Sequence, residues 1–390
     1  MLVNSTASRP SLLSDLKGPI LTVLLARAVL AGVGIALYAA SRIPTTADPT
    51  LRPYFGQTPV TDGLAGALLG VWQRFDSIHY LRIASEGYSA TDLSVFFPFF
   101  PLLVRAIGRL FGLDYLFASL LISTTAAALA AITLNRLVIE EWHDPGLAGR
   151  AVSFLIFFPT AFYLLAPYPE SLALLFTLAA FRQARRGRWW TAGLAGLACA
   201  LTRPQGVLLV LALLVEVARR LRDGARASLA MLFSATAPAA GLLTFVAWRA
   251  VVGFPSLSTV QHDYWQRVTG LPFSAVAATI DRIASSEATL IEYVDLAAVT
   301  VMFAIGLLLL KRIPLPYTVF FWVVLIFNLS QLRLTQPLSS QARFALALFP
   351  AFIVLGQFGA SPRMNRLLLY LSMLLWLFLA GQFMMWGWVG

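Results

Sequence analysis

The residues best suited to chemistry lie in one polar stretch of this chain, residues 72–101. Within nineteen positions this stretch collects six ionisable side chains: Arg74, Asp76, His79, Arg82, Glu86 and Asp92. A helix through residues 74–86 would place Asp76 and His79 on one face, three positions apart. Asp76 could then act as a general base that removes a proton from an acceptor hydroxyl. The alternative is an interfacial ion pair between Asp76 and Arg74 or Arg82.

Two further charged residues stand at breaks between apolar runs. Glu170 lies in the turn at residues 166–172, and an acid at membrane depth commonly marks a functional site. The alternative for Glu170 is a cap on the following helix. Arg203 directly precedes Pro204, a position that disfavours helix, and its planar fork of donors suits a phosphate. The alternative for Arg203 is a structural ion pair with Glu170 or Asp76.

The remaining candidates lie in two later polar segments. Arg343 is a second arginine just inside a predicted helix end, with an interfacial anchor as the alternative. In the loop at residues 252–292, His262 and Trp265 could bind a sugar by hydrogen bonding and stacking, or could belong to an interfacial aromatic belt. The residues predicted to bind a lipid or its phosphate are Arg203, Arg343, His79 and Arg82. The residues predicted to bind the substrate are Glu170, Gln205, Gln341, His262 and Trp265.

The composition places this chemistry in a membrane. Of the 390 residues, 59% are hydrophobic and only 12% are charged, whereas a soluble domain carries about 25% charged residues. Apolar runs of roughly 17–25 residues, the length that crosses a bilayer as a helix, recur along the chain. We therefore predict an all-α polytopic membrane protein with about eleven transmembrane helices. The candidate spans are residues 19–41, 115–137, 151–166, 168–183, 189–202, 204–221, 229–251, 293–310, 315–331, 342–358 and 367–387.

The arginines predict the topology. The net charge of +11 could indicate nucleic-acid binding, but the arginines cluster between apolar runs, as they do in cytoplasmic loops. We therefore predict contact with membrane lipids and no nucleic-acid partner. With residues 1–18 as a cytoplasmic tail, residues 42–114 become a long first outer loop and residues 252–292 a second. The polar motifs then share the outer face of a single domain over residues 1–390.

One segment of the first outer loop has two interpretations. Residues 97–112 are apolar enough to form another span, which would invert the topology of everything that follows. Pro98 and Pro101 near the start, and Arg105 and Arg109 four positions apart, favour an amphipathic helix on the outer surface instead. We therefore predict that the outer loop carries juxtamembrane helices.

Missing motifs narrow the chemistry. The sequence has three histidines and one cysteine, without HExxH or a cysteine pair, which argues against a zinc site. It has no glycine-rich phosphate loop, which argues against nucleotide hydrolysis. It also has no Asp-x-Asp sequence to hold a metal and a nucleotide-sugar. These absences suit a sugar donor without a nucleotide, so we predict no metal and no cofactor.

Four motifs, in order, resemble those of the PIG-V family, which comprises GPI mannosyltransferase II and its prokaryotic relatives. The motifs are Arg74-Phe75-Asp76 with His79-Tyr80 and Gly87-Tyr88; VFFPFFP at residues 95–101; Phe158-Pro159 with Tyr168 and Glu170-Ser171; and Leu201-Thr202-Arg203 with Gly206. Arg343-Phe344 with Pro350 is a weaker similarity near the C-terminus. The chain departs from the family at Phe75, where a tryptophan is usual, and at Pro204-Gln205, where Ser-Asn is usual.

The resemblance implies a GT-C fold with its active site on the non-cytoplasmic side. It implies polyprenyl-phosphate-mannose as the donor and a metal-independent, inverting transfer. Asp76 would be the base, and Arg203 with Arg343 would neutralise the departing lipid phosphate. The site would face outward from a prokaryotic plasma membrane, or into the ER lumen of a eukaryote. The acceptor stays open among a glycolipid, another glycan and a protein.

Two other classes of protein could carry buried charges among apolar helices. A secondary transporter or lipid flippase uses broken helices and polar residues near the bilayer midplane. No internal repeat typical of transporters is found here, and the polar residues gather at one predicted surface. A non-catalytic subunit of a membrane complex is the third class, and it would tolerate substitution of Asp76.

Overall fold

The computed structural model of the protein describes residues 12–44 and 46–389, and most of them are helical. The helices are α1 (Leu12–Ala39), α2 (Gly63–Leu68), α3 (Asp76–Glu86), α4 (Phe99–Phe111), α5 (Tyr115–Trp142), α6 (Pro145–Ile156), α7 (Glu170–Arg185), α8 (Trp189–Thr202), α9 (Leu209–Arg222), α10 (Leu229–Val252), α11 (Leu257–Trp265), α12 (Ser274–Ala284), α13 (Leu290–Arg312), α14 (Leu315–Leu329), α15 (Gln341–Phe344), α16 (Pro350–Phe358) and α17 (Pro362–Met384). Strands β1 (Arg267–Thr269) and β2 (Gln331–Arg333) form one antiparallel pair. The predicted tail at residues 1–18 falls partly outside the described residues, and α1 already begins at Leu12.

The prediction of a helical, multi-pass membrane protein is confirmed, but the count of eleven spans is not. Among the described residues, five helices are long and apolar enough to cross a membrane: Leu16–Ala39 within α1, and α5, α10, α13 and α17. A sixth crossing arises if Gln341–Ala347 and Pro350–Phe358, which meet at 90°, form one broken span.

Several predicted spans are too short as helices. Helices α7, α8, α9 and α14 have 16, 14, 14 and 15 residues. At 1.5 Å per residue they reach roughly 21–24 Å, less than the ~30 Å of a hydrocarbon core. The predicted span at residues 151–166 is not one helix, because α6 ends at Ile156 and a 3₁₀ turn follows at Ala161–Leu164.

The bundle has two chemically different ends, and α7 connects them. At one end Arg185 binds Glu141 at 2.5 Å and Glu216 at 3.2 Å, tying together the C-terminal ends of α5, α7 and α9. At the other end, Glu170 begins α7. The sixteen residues of α7 separate these two ends by roughly 24 Å. The end that carries Glu170 also carries the polar site described below.

Helix α4 packs against α3 and binds its last turn. Phe100, Val104 and Gly108 form its buried face, while Arg105 donates to the carbonyl oxygens of Ala84 at 2.6 Å and Ile83 at 2.9 Å. Those carbonyls belong to the last turn of α3, where backbone acceptors need partners from outside the helix; the carbonyl of Ile83 also accepts the N–H of Gly87 at 3.0 Å. With thirteen residues α4 reaches only about 20 Å, which favours the surface helix over a further crossing.

Arg74 anchors the start of α3 to the end of α17. It is 1% exposed, and its guanidinium donates to the carbonyl oxygens of Gly70 at 2.8 Å and Met384 at 3.1 Å. The next residue, Phe75, has a φ of +52°, a strained conformation for a residue other than glycine. Its ring packs edge-on against Trp386 and Trp388. These contacts hold the turn that presents Asp76.

Replacing Arg74 by alanine is expected to lower the free energy of unfolding by roughly 2–4 kcal/mol, because several buried acceptors lose their donor. Thermal unfolding of the purified protein would measure the loss. Arg109→Ala is the matched control, because Arg109 is exposed on α4. Equal melting temperatures for the two variants would contradict the anchoring role.

Candidate active site

A cavity of about 910 Å³ opens at the end of the bundle that carries Glu170, and it is formed by segments from the whole chain. Its charged, imidazole and amide lining residues are Asp76, His79, Arg203, Gln205, Gln261, His262, Arg267, Asn328, Gln331, Arg333 and Arg343. Aromatic rings, among them Phe96, Trp265, Phe344 and Trp388, complete the wall. Asp76 is the one carboxylate among the described residues that line this cavity.

Alternating carboxylates and guanidinium groups form a chain beneath the cavity. Arg343 donates from Nη1 to Asp76 Oδ2 at 2.8 Å, and from Nε to Glu170 Oε1. Arg203 binds the same Glu170 oxygen through Nη1. Asp76, Glu170, Arg203 and Arg343 therefore each have an oppositely charged neighbour, which burial requires. Residues from α3, α7, the end of α8 and α15 meet here, so four sequence-distant predictions share one site.

Asp76 is placed as a general base would be. It occupies the first turn of α3, where the helix dipole favours a negative charge. Burial alone would raise its pKa, but the charge and hydrogen bond of Arg343, with the nearby His79 and Arg267, hold the pKa of Asp76 below its ordinary value. The carboxylate is therefore unprotonated at neutral pH and can accept a proton.

His79 and Arg82 occupy different surroundings. His79 lines the cavity, stacks on Phe96 with ring centroids 5.2 Å apart, and is mostly buried. That burial, opposed by the nearby Asp76, lowers the pKa of His79, so its imidazole is neutral at neutral pH. Arg82 is not brought to the cavity, because it turns to Asp92 at 3.5 Å within the same loop. Neither Arg82 nor Arg74 forms the ion pair with Asp76 that the sequence allowed as an alternative.

Some of the residues predicted to bind the substrate line the cavity, and others do not. Gln205 lines the cavity, and its amide bonds to Asn328 at 3.3 Å. Gln341 lies outside the cavity lining and donates instead to the carbonyl oxygen of Asn328 at 3.0 Å. Glu170 also lies outside the lining, where it joins the two arginines. Gln341 and Glu170, both predicted to bind the substrate, are therefore not among the described residues that line the cavity.

The loop at residues 252–292 forms part of the rim of the cavity. His262 lines the cavity and binds Asp263 at 2.8 Å on an exposed surface. Trp265 donates its indole N–H to the carbonyl oxygen of Asp92 at 3.2 Å and packs edge-on against His79. The loop at residues 252–292 therefore packs against the first loop at the cavity.

Comparison with known proteins assigns the family. The model of the mannosyltransferase (PIG-V) family matches residues 21–222, just over half of the chain. This chain belongs to the PIG-V mannosyltransferase family.

The family's curated relatives give the same assignment. The rat GPI alpha-1,6-mannosyltransferase 2 is 34% identical over 173 residues, 42% of this chain and 35% of that protein. The human protein of the same name is 34% identical over 148 residues, 36% of this chain and 30% of that protein. The chain thus matches about a third of the length of these relatives.

The match to the PIG-V family covers only part of the cavity. Residues 21–222 include Asp76, Glu170 and Arg203. Arg343 and the arginines at 267 and 333 lie beyond it, as does the loop at residues 252–292. The C-terminal half of this PIG-V protein therefore completes a site whose carboxylates come from the matched half.

Three functional candidates escaped the sequence reasoning. Arg267 and Arg333 line the cavity although they lie 66 positions apart, in strands β1 and β2. Asp295 lies in α13, and its Oδ1 accepts the backbone N–H of Ala342 at 2.8 Å. An acid inside an apolar helix is a signal that could have identified Asp295. No local pattern marks the two arginines.

Asp295 is expected to position Arg343 through the first turn of α15. Asp295→Ala would leave the N–H of Ala342, next to Arg343, without its acceptor, and we expect the catalytic rate to fall roughly tenfold as the guanidinium shifts. Asp295→Asn keeps an acceptor oxygen and should recover most of the rate. Steady-state kinetics should show the loss in kcat rather than in donor KM. Wild-type kcat in Asp295→Ala would contradict the positioning role.

Proposed function

We propose that this protein is a membrane mannosyltransferase that moves mannose from polyprenyl-phosphate-mannose to an acceptor hydroxyl. The observation that carries the proposal is the placement of a single lining carboxylate, Asp76, among several arginines in a cavity with aromatic walls. This arrangement suits a base working beside a phosphate leaving group. The family and its named relatives support mannose as the sugar.

The reaction that these residues suit is a single displacement. The acceptor oxygen forms a bond to C1 of mannose while Asp76 takes the hydroxyl proton. The bond between C1 and the phosphate oxygen breaks, and its electron pair leaves with the lipid phosphate. The arginines of the cavity stabilise the charge that develops on that phosphate. This reaction uses no metal and no cofactor. Its acceptor can be a glycolipid, another glycan or a protein.

We also propose a fold type for the protein and a membrane side for its site. The GT-C type fold and the outward-facing site remain proposals that the resemblance motivates. The grouping of the polar site at the end opposite the Arg185 cluster supports them, because basic clusters mark the cytoplasmic side. The transporter or flippase alternative is not favoured by family membership. The polar residues also lie at one end of the helices rather than midway along them.

Purified protein in liposomes would test the activity directly. We expect radiolabelled mannose to move to an acceptor from polyprenyl-phosphate-mannose and not from GDP-mannose, with or without EDTA. Liposomes with empty detergent eluate are the control. Transfer only from the nucleotide donor, or loss of transfer with EDTA, would contradict the proposed donor or the metal-independent chemistry respectively.

Sidedness gives a separate prediction. In a Cys199→Ala background, which removes the single cysteine, Ser258→Cys on the cavity rim should react with a membrane-impermeant maleimide in intact cells. Arg226→Cys, in the loop between α9 and α10, should react only after the membrane is permeabilised. The reverse pattern would place the cavity on the cytoplasmic side.

A further inference from the structure

Two arginines of the cavity stand directly opposite each other on the small β-sheet. Strands β1 and β2 pair so that Arg267 faces Arg333 across the ladder, and both side chains line the cavity. Like charges in directly opposed positions of a sheet repel each other and destabilise the pair. The two-stranded sheet therefore holds two like charges side by side, and an anion between the two guanidinium groups would relieve their repulsion.

Neither arginine makes a direct ion pair in the described part of the chain, although the charge of Asp76 is close enough to favour their protonated forms. Among residues 12–44 and 46–389, no carboxylate forms an ion pair with Arg267 or Arg333, and Nε of Arg333 is buried without a hydrogen-bond partner. Aromatic rings hold both groups in place: Arg267 lies 5.7 Å from the ring centroid of Phe344, and Arg333 lies 5.4 Å from that of Trp388. These contacts fix the guanidinium planes but leave their donors unused.

The other two arginines of the site are already compensated. Arg203 binds Glu170, and Arg343 binds both Glu170 and Asp76. Four arginines against two carboxylates leave an excess of two positive charges. Burial and the neighbouring arginines lower the pKa of Arg267 to about 10, against the opposing effect of the Asp76 charge, so Arg267 stays charged at neutral pH. The excess lies on the Arg267–Arg333 pair.

We propose that Arg267 and Arg333 form the binding site for a doubly charged phosphate monoester. This assignment rests on the proposed function, in which the donor is a phosphodiester with one negative charge. When the bond to C1 of mannose breaks, the departing lipid phosphate becomes a monoester and gains a second charge. A pair of uncompensated arginines binds that product more tightly than the donor, so the pair favours the transition state over the ground state.

Binding of simple lipid analogues to the full-length protein in nanodiscs tests the proposal without any sugar transfer. Isothermal titration calorimetry would compare decyl phosphate, a monoester, with methyl decyl phosphate, a diester of similar size. For the wild type we expect the monoester to bind at least roughly tenfold more tightly than the diester, because its second charge adds one charge-assisted contact. Arg267→Gln and Arg333→Gln should each reduce that preference, and Arg333→Lys should retain part of it.

A control variant and a competing anion test whether the preference for the monoester comes from the Arg267–Arg333 pair. Arg363→Gln alters an exposed arginine at the start of α17, at the far end from the cavity, and should keep the wild-type preference. Equal affinity of the wild type for the two lipids would overturn the proposal, as would an unchanged preference in Arg333→Gln. Inorganic phosphate that competes as well as decyl phosphate would overturn the assignment to a lipid product.

The lipid-binding experiment and the mannose-transfer experiment can fail independently of each other. Mannose transfer without a monoester preference would leave the enzyme assignment intact and remove the role of the arginine pair. A monoester preference without mannose transfer would keep the anion site and contradict the mannosyltransferase.

Discussion

Asp76→Asn is expected to reduce mannose transfer by about 10²–10⁴-fold, the contribution of a positioned general base. The amide has nearly the same shape as the carboxylate but cannot accept the hydroxyl proton. Arg343 keeps its contact with Glu170, so the site should remain folded. Donor affinity, measured separately by binding, should change much less than the rate.

Asp92→Asn is the matched control for this prediction. Asp92 lies in the same loop and also pairs with an arginine, Arg82 at 3.5 Å, but it does not line the cavity. Its removal should leave the transfer rate within a few-fold of the wild type. Near-normal transfer in Asp76→Asn, or equal losses in the two variants, would contradict the assignment of Asp76 as the base.

Arg343→Gln is expected to cost the most stability of any substitution in the site. Arg343 is 5% exposed and binds both Asp76 and Glu170, so its loss leaves two carboxylates without their shared cation. Breaking a buried ion pair from one side costs roughly 3–5 kcal/mol. We expect a corresponding fall in melting temperature together with loss of transfer.

A double-mutant cycle with Glu170→Gln tests the cause of that loss. Glu170 keeps its contact with Arg203. If the broken Arg343–Glu170 contact contributes to the loss, the double variant should lose less stability than the sum of the single variants, by about 0.5–3 kcal/mol. Additive losses would show that Arg343 and Glu170 act independently, against the structure.

Arg343→Gln should also change the pH dependence of any residual activity. Arg343 makes the largest of the contributions that lower the pKa of Asp76, whereas burial raises it. Without Arg343 the pKa of Asp76 rises, so activity would be lost at a higher pH as the solution is acidified. An acid limb at the same pH as in the wild type would show that Arg343 does not set the protonation of Asp76.

Local sequence patterns predicted the parts of the site that lie on one helix or at one turn. The three-residue spacing of Asp76 and His79 placed both on the cavity face of α3, and the proline after Arg203 marked the break where Arg203 meets Glu170. The partner of Asp76 was not predictable, because Arg343 lies 267 positions away. Arg82 was predicted to bind the lipid or its phosphate; in the structure it pairs with Asp92 and does not line the cavity.

The count of membrane spans failed for a related physical reason. Hydropathy identifies apolar runs but does not show whether a run continues as one helix. The run at residues 151–166 is broken after Ile156, and the run at residues 342–358 bends by 90° between α15 and α16. Arg343 lies on the first arm of that bend and lines the cavity. Composition therefore predicted the class of protein, while the breaks that build the cavity required the structure.

The anomeric configuration of the product tests the central claim most directly. A retaining transfer by double displacement needs a carboxylate nucleophile in addition to the carboxylate that serves as the acid or base. Among the described residues that line the cavity only Asp76 carries one, since Glu170 is held outside the lining by two arginines. Mannose transferred from a donor of known configuration should appear in the product with the opposite configuration, as shown by NMR of the purified product. A product of retained configuration would contradict single displacement and the role of Asp76 as its base.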